Sequence, residues 1–468
     1  MKLPGRPSMP LMARRSFMAQ ALVASAIPLL GAATPRGSRN LLFPKDPIKL
    51  SIERTNLDLG GGVTVPTTTY GGTVPGPLLR MRAGQEVRVR VYNRSGEDEL
   101  VHWHGLHVSS RMDGAEEEGS PVLKAGTVGD YAFVPRPAGT HWYHTHMMAH
   151  TNLDRGGYSG QFGFLCVDDG SDPGDYDQEH FMAVHHWNGR FHQMGRPVGN
   201  MMVDYAHATF NGLLPVAAAP IRVRQGQRVM FRFLNASATQ NTRIALPGHH
   251  FTVVALDGTA VPRPTSVRVL ELGVAERIDA VVEMNNPGIW QLGSVDPVER
   301  SAGLMQVVEY ASQCGTPTWR EPERFDWTYR LFADAVAATP APVDDIFPLV
   351  LSKDFTPPPH MNGMDLWRIN GLSFPDTPTI KVREGGRYRF RLMNATREAH
   401  PVHFHRHSFE ITAISGVPTS GLIKDTVMLP VYGSLDVDWT ADNKGPSLFH
   451  CHQQVHMDAG LMQMVDYV

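Results

Sequence analysis

Arg383-Glu-Gly385-Gly-Arg-Tyr-Arg-Phe-Arg-Leu-Met-Asn394 reads as a turn glycine followed by a strand in which arginine alternates with large apolar residues. That two-residue period marks a half-buried strand. The pattern occurs twice more. Arg82-Ala-Gly84 leads through Gln-Glu-Val-Arg-Val-Arg-Val-Tyr to Asn93, and Arg224-Gln-Gly226 leads through Gln-Arg-Val-Met-Phe-Arg-Phe-Leu to Asn235. Nine residues separate glycine from asparagine in every copy. The similarity extends outward: Phe251-Thr-Val-Val-Ala-Leu-Asp-Gly258 echoes Phe409-Glu-Ile-Thr-Ala-Ile-Ser-Gly416, and Asn211-Gly212 and Asn370-Gly371 each lie 15 residues before the turn glycine. A unit repeated three times, with few long 3.6-residue periods, predicts an all-β chain of three consecutive Greek-key β-sandwich domains. They are expected over residues 45–170, 178–312 and 345–468. The Pro- and Ala-rich stretch from Glu309 to His360 reads as the link between the second and third.

The chain has 468 residues, 42% apolar and only 19% charged, with a formal net charge of −3. It can bury sizeable cores, and it lacks the basic excess of a nucleic-acid binder. Its 44 glycines and 36 prolines suit many turns between short strands. Residues 1–35 read as a twin-arginine export signal. Arg14-Arg15-Ser16-Phe17-Met18 precedes an apolar run from Ala19 to Leu30, then Gly31, Ala32 and Ala33. The expected partner is the twin-arginine translocation machinery, and the expected location is the periplasm or the cell exterior. No other stretch approaches the ~18 apolar residues of a membrane span, so no stable insertion is expected. A monomer is the default for a chain with three domains. Of the three cysteines, Cys166 and Cys314 can pair in an oxidising compartment, but Cys166 lies in the apolar run Phe162 to Val167 and reads as a buried free thiol.

Aligned on their glycines, the ends of the three units differ in one respect. Gly139-Thr-His-Trp-Tyr leads to His144-Thr145-His146, Gly445-Pro-Ser-Leu-Phe to His450-Cys451-His452, and Gly288-Ile-Trp-Gln-Leu to Gly293-Ser294-Val295. The outer units carry a second pair each: His102-Trp103-His104, and His403-Phe404-His405 preceded by His400-Pro401. On a strand, residues two apart share a face, so each pair offers two imidazoles to one side. Cys451 then points the other way, where His400 and His456 can complete a His₂Cys set. A lone His-X-His is more often surface or core, but four pairs at repeat-equivalent positions are not explained so. A metallohydrolase would want carboxylate ligands, and zinc with one thiolate would leave the other histidines idle. Ligand softness and number point to copper.

With these residues in view the chain resembles the multicopper oxidases, the family of laccases and bacterial cuprous oxidases, over its whole mature length. The resemblance rests on His102-Trp-His-Gly105, Trp142-Tyr-His-Thr-His146, His400-Pro-Val-His-Phe-His405 and His450-Cys-His-Gln-Gln-Val-His456. It implies cupredoxin-like domains and four copper ions. Type 1 copper would take His400, Cys451 and His456. Type 2 would take His102 and His403. The type 3 pair would take His104, His144, His146, His405, His450 and His452. Asp113 matches the family's proton-delivering acid, with a plain turn aspartate in Met112-Asp113-Gly114 as the alternative. Several positions depart from the family pattern. The axial position, five residues after His456, is Leu461, with Met462 next to it. His150 stands where many laccases have Gln and is a candidate hydrogen bonder to the site. His-Gly-His becomes His405-Arg406-His407, with His407 read as a non-ligand. Met457, followed by Asp458, replaces the Glu that many bacterial relatives carry.

The activity implied is one-electron oxidation of a small reducing substrate coupled to reduction of O₂ to water. The backbone of Cys451 joins both flanking histidines in a covalent path on the order of 10 Å. Three functions compete. Leu461 favours phenol or aromatic-amine oxidation. The export signal and Met194, Met201, Met202, Met457, Met462 and Met464 favour oxidation of Cu(I) or Fe(II) in copper tolerance. A non-catalytic scaffold is the third, although units one and three retain every ligand.

Overall fold

The computed structural model describes residues 47–193, 201–311, 313–354 and 365–468. The expected export segment and Met194 lie outside them. The strands form six sheets, two for each repeat unit. In unit one the repeat strand is Val87–Arg94, paired in parallel with Ile48–Gly60. Its counterparts are Arg228–Asn235 on Gln178–Gln193 and Arg387–Asn394 on Asp345–Asp354, again in parallel. The second sheet of each unit is equally repetitive. Its ligand-bearing strand, or the equivalent, is Gly139–His144, Ile289–Ser294 or Ser447–Cys451. Each runs antiparallel to the last strand of its unit. The chain is therefore three consecutive cupredoxin-like β-sandwiches, and the sequence repeat is a repeat of topology.

Two residues of the repeat explain why it recurs. The turn glycines Gly84, Gly226 and Gly385 have φ of +75°, +83° and +79°, a region that disfavours any other residue. The asparagines Asn93, Asn235 and Asn394 end the strand buried, and each ties down the loop that follows. Asn93 Nδ2 donates to Glu97 O (2.7 Å) and Leu123 O (2.8 Å), and Asn394 Nδ2 to Glu398 O (2.7 Å) and Pro430 O (2.9 Å). Asn235 Nδ2 does the same with Gln240 O and Leu272 O. In units one and three that loop leads directly to His102 and His400.

The link is shorter than the sequence reading. Glu309 still belongs to the strand Met305–Tyr310, and Asp345–Asp354 already belongs to unit three. The intervening chain is pinned by buried Tyr329 and Phe332 against the two flanking units. The strand reading of His102 to His104 also needs correction. Those residues lie in irregular backbone, tied to unit one's ligand strand by a single bridge between His102 and His144.

Arg406 shows why His-Gly-His became His-Arg-His. Its φ of +63° is a glycine-like conformation. Its buried guanidinium nevertheless donates to Val108 O of unit one (2.9 Å) and to the carbonyls of Asn443 (2.9 Å), Lys444 (2.8 Å), Gly445 (3.0 Å) and Pro446 (2.6 Å). A glycine would relieve about 1 kcal/mol of backbone strain but strand several buried acceptors, each costing about 1–3 kcal/mol. Arg406→Gly should therefore lower unfolding free energy by about 3 kcal/mol or more, read from denaturant unfolding. A stabilised variant would contradict this account.

Candidate metal centres

Ser447–Cys451 pairs antiparallel with His400–Phe404, with His450 opposite His403 and Cys451 opposite Val402. Strand parity then sends Cys451 to one side and His450 to the other. On the Cys451 side, Sγ lies 3.7 Å from His400 Nδ1 and 3.5 Å from His456 Nδ1, and those two nitrogens are 3.2 Å apart. All three residues are buried. His456 reaches the group from the short helix Gln454–Asp458. Its Nε2 faces Glu398 Oε2 at 3.1 Å; a carboxylate only accepts, so Nε2 carries the proton and Nδ1 a lone pair. His400 Nε2 lies 2.8 Å from Thr396 Oγ1, whose own hydrogen goes to Asn394 Oδ1. The site is thus two nitrogen lone pairs and a sulfur. Burial pushes the Cys451 thiol far above its ordinary range, so in the absence of a cation it keeps its proton. A soft cation would displace that proton.

On the other side the eight remaining imidazoles converge. Ligand atoms fall into mutually close groups: His146, His405 and His450; His104, His144 and His452; and His102 and His403 with His104 shared. Their protons can be placed from their partners. Nδ1 of His102, His144, His403 and His450 each faces a carbonyl oxygen, of Asp113 (2.8 Å), Thr145 (2.7 Å), Asp425 (2.8 Å) and Cys451 (2.9 Å). His405 Nδ1 donates to Asp113 Oδ2 at 2.7 Å. Five Nε2 atoms are therefore lone pairs. His104 is reversed, because its Nε2 faces Asp425 Oδ1 (3.1 Å) and leaves Nδ1 for the site. Nε2 of His102, His146, His403 and His452 is buried with no hydrogen-bond partner among the described residues, and His405 Nε2 and His450 Nε2 face each other at 3.0 Å. Burial lowers the imidazole pKa to about 4 at His450 and well below the ordinary value at His104, His144, His146, His403, His405 and His452. Neutral, convergent, unpartnered nitrogens are what copper ions require.

Three acids and a cation escaped the sequence reading or were only half seen by it. Asp113 is fully buried and contacts both His102 and His405. Glu118, also buried, takes the Leu448 amide (2.7 Å) and lies 3.3 Å from His405 Nδ1; burial, then Asp113, push its carboxyl well up. Asp425 holds His104 with its side chain and His403 with its carbonyl. Burial acts to raise its carboxyl, but Arg277 of unit two prevails and holds it far down. Arg277 Nη1 donates to Asp425 Oδ1 at 2.8 Å and its Nη2 makes a second contact. Only the Lys424-Asp425 pair abutting the apolar strand Thr426–Leu429 hinted at this.

The departures are also resolved. Leu461 is fully buried and shares a core with Cys451, Trp367 and Val402. Met462, opposite His450 in the register, packs instead with Leu448 and Met457. His150 is not a hydrogen bonder to the cluster: its ring is exposed, and it is its backbone N–H that donates, to Asp458 Oδ2 (2.6 Å). His407 Nε2 pairs with the Tyr467 hydroxyl (3.0 Å), outside every ligand group. Cys166 and Cys314 are both free thiols.

Asp425→Asn should leave buried Arg277 with only the more distant Asp257 carboxylate, at 3.5 Å, as counter-charge, at a cost of about 3 kcal/mol. It should also weaken copper binding by about 10-fold or more through loss of the His104 anchor. Denaturant unfolding and copper titration of the variant read these separately; unchanged values in both would remove Asp425 from this role.

Three family models, each described as multicopper oxidase, match residues 51–172, 139–294 and 348–467. The multicopper oxidase MmcO of Mycobacterium tuberculosis is 32% identical, covering 95% of this chain and 90% of that protein. Copper resistance protein A of Escherichia coli is 22% identical over 97% of this chain and 98% of its own length. The structure of the Botrytis aclada laccase superposes with a TM-score of 0.74 at 21% identity, covering 91% of this chain and 88% of that one, a likeness of fold. The chain belongs to the multicopper oxidases, copper-dependent oxidoreductases that use O₂ as acceptor.

Proposed function

We propose that the protein is a laccase-like oxidase that couples four one-electron oxidations of phenolic or aromatic-amine donors to reduction of one O₂ to two waters. Copper, when bound, supplies the one-electron redox chemistry. In this reading His400, Cys451 and His456 hold type 1 copper, and His102 and His403 hold type 2. The type 3 pair falls to His104, His144 and His452 on one side and His146, His405 and His450 on the other, for four ions in all. The division of the eight imidazoles into three, three and two supports the assignment. Asp113 serves the cluster as a proton-handling group through its contacts with His102 and His405. The donor class rests on Leu461, which the resemblance puts at the axial position: it is buried, its carbonyl accepts from the Cys451 amide at 3.1 Å, and a non-coordinating side chain there would raise the type 1 potential.

Oxidation of Cu(I) is the second reading, favoured by the copper-resistance relative and by Met202, which is 43% exposed on its strand. The other methionines argue against a thioether site. Met457 and Met462 are buried together, with Met464 and Met148 packed on them, as core filler. We further propose that residues 1–35 export the protein to the periplasm or beyond and that it acts as a monomer. No helix among the described residues is long and apolar enough to cross a membrane.

O₂ uptake by the copper-loaded protein, with a phenol, an aromatic amine, Cu(I) and Fe(II) in turn, decides between the readings. Turnover confined to Cu(I) would exclude the laccase-like one. Cys451→Ser should abolish the blue absorbance and turnover while the far-UV spectrum and unfolding midpoint persist. Retained activity in that variant would overturn the type 1 assignment.

A further inference from the structure

Beside the cluster lies a small cavity of about 30 Å³, room for about two waters, whose lining includes His144, Thr145, His146, Gln161, His450 and His452. Neither Asp113 nor Glu118 lines it. Reduction of one O₂ takes four electrons from the donor and four protons, and yields two waters. Protons reaching this face need a source, and none of the lining residues is acidic.

Two carboxyls stand one residue behind the wall. Asp458 is held by the amides of Ala149 (3.0 Å) and His150 (2.6 Å) and by Gln454 Nε2 (2.7 Å), three donors that anchor the loop to the helix and oppose the rise to about 6 that burial gives its carboxyl. Glu99 differs. It is 2% exposed, and Thr145 Oγ1 lies 3.2 Å from its Oε2. Gln161, Tyr70, Arg155 and Glu97 are near enough to act on it electrostatically. Arg155 and Glu97 form a partly exposed pair at 3.4 Å, so solvent is close behind Glu99.

The repeat adds an independent argument. Glu99 lies six residues after Asn93, as His400 lies six after Asn394, and Thr145 is the counterpart of Cys451. Glu99 and Thr145 therefore occupy in unit one the station that His400 and Cys451 occupy in unit three, in contact in the same way but with hydroxyl and carboxyl in place of thiol and imidazole.

We propose that Glu99 is a proton-relay residue for the O₂-reducing half of the reaction, acting through the Thr145 hydroxyl into this cavity. A protonated Glu99 donates to Thr145 Oγ1, whose own hydrogen passes to water in the cavity; the carboxylate left behind is reprotonated from solvent past Glu97 and Arg155. Burial raises the Glu99 carboxyl to about 7, so it holds its proton below neutrality and loses it as pH rises through that value. The relay rests on the copper-ligand assignment above, whose failure would show first as absent blue absorbance in the unmodified protein.

The test uses Glu99→Gln, with Thr145→Val and Thr145→Ser as companions, all copper-loaded. Infrared difference titration should show a protonated-carboxyl band lost near pH 7 in the parent and missing from Glu99→Gln. Reoxidation of the reduced protein by O₂ should slow by about 10²-fold in Glu99→Gln and in Thr145→Val. Its fall near pH 7 should disappear in both, and Thr145→Ser should behave as the parent. Reduction of the blue band by donor should be unchanged. A copper-replete Glu99→Gln that reoxidises at the parental rate and pH profile overturns the proposal. If Glu99→Gln fails to hold copper, Thr145→Val decides: slowed reoxidation with a flattened profile supports the relay, and parental behaviour overturns it.

Discussion

Two imidazole nitrogens that both carry lone pairs repel, yet His405 Nε2 and His450 Nε2 are held 3.0 Å apart. His400 Nδ1 and His456 Nδ1 are held at 3.2 Å under the same condition. Water-filled surroundings would let such rings turn away. Here each ring is fixed from behind by a carbonyl, hydroxyl or carboxylate that claims its other nitrogen, and the sandwich interiors admit no rotation. The fold thus keeps electron pairs converging on points that only cations can satisfy. Burial reinforces this, because a neutral imidazole is the form both a dry interior and a metal prefer.

That requirement explains what the middle unit contributes. Unit two has Gly293, Ser294 and Val295 where the outer units carry the paired histidines. Its Arg277 nonetheless holds Asp425, which sets the tautomer of His104 and supports His403. Asp257, also of unit two, contacts Arg277 and Lys424. Such buried charges are tolerated only because each is matched. A cluster shared between units one and three is therefore oriented from the unit that lost its own.

Local chemistry was readable from the chain; long-range chemistry was not. The turn glycines and strand-ending asparagines announce themselves because their reasons lie within a few residues. The ligands do so because a two-residue period puts paired histidines on one face. His102 and His104 were placed on a strand by that same logic, yet irregular backbone brings them in. Asp425, Glu118 and Arg277 gave almost no signal, since their partners are distant in sequence: Asp425 meets Arg277 148 residues away, and Glu118 meets Leu448 across 330. Arg406 looked like a lost glycine until its carbonyl partners in two units were seen.

The three units also show how one scaffold position changes chemistry by changing a single atom type. The middle residue of this station meets a different partner in each unit. In unit three it is Cys451, and two imidazoles with free nitrogens wait beside its sulfur. In unit two it is Ser294, whose hydroxyl is bound by Glu299 at 2.7 Å. In unit one it is Thr145, bound to Glu99 at 3.2 Å. A thiolate among lone pairs suits a soft, redox-active cation, whereas a hydroxyl against a carboxyl suits a proton. Both stations lie one residue from histidines of the same cluster. Under the proposed copper assignment and relay, electrons would arrive at it from unit three and protons from unit one, and the difference between Cys451 and Thr145 would keep the two apart until they reach it.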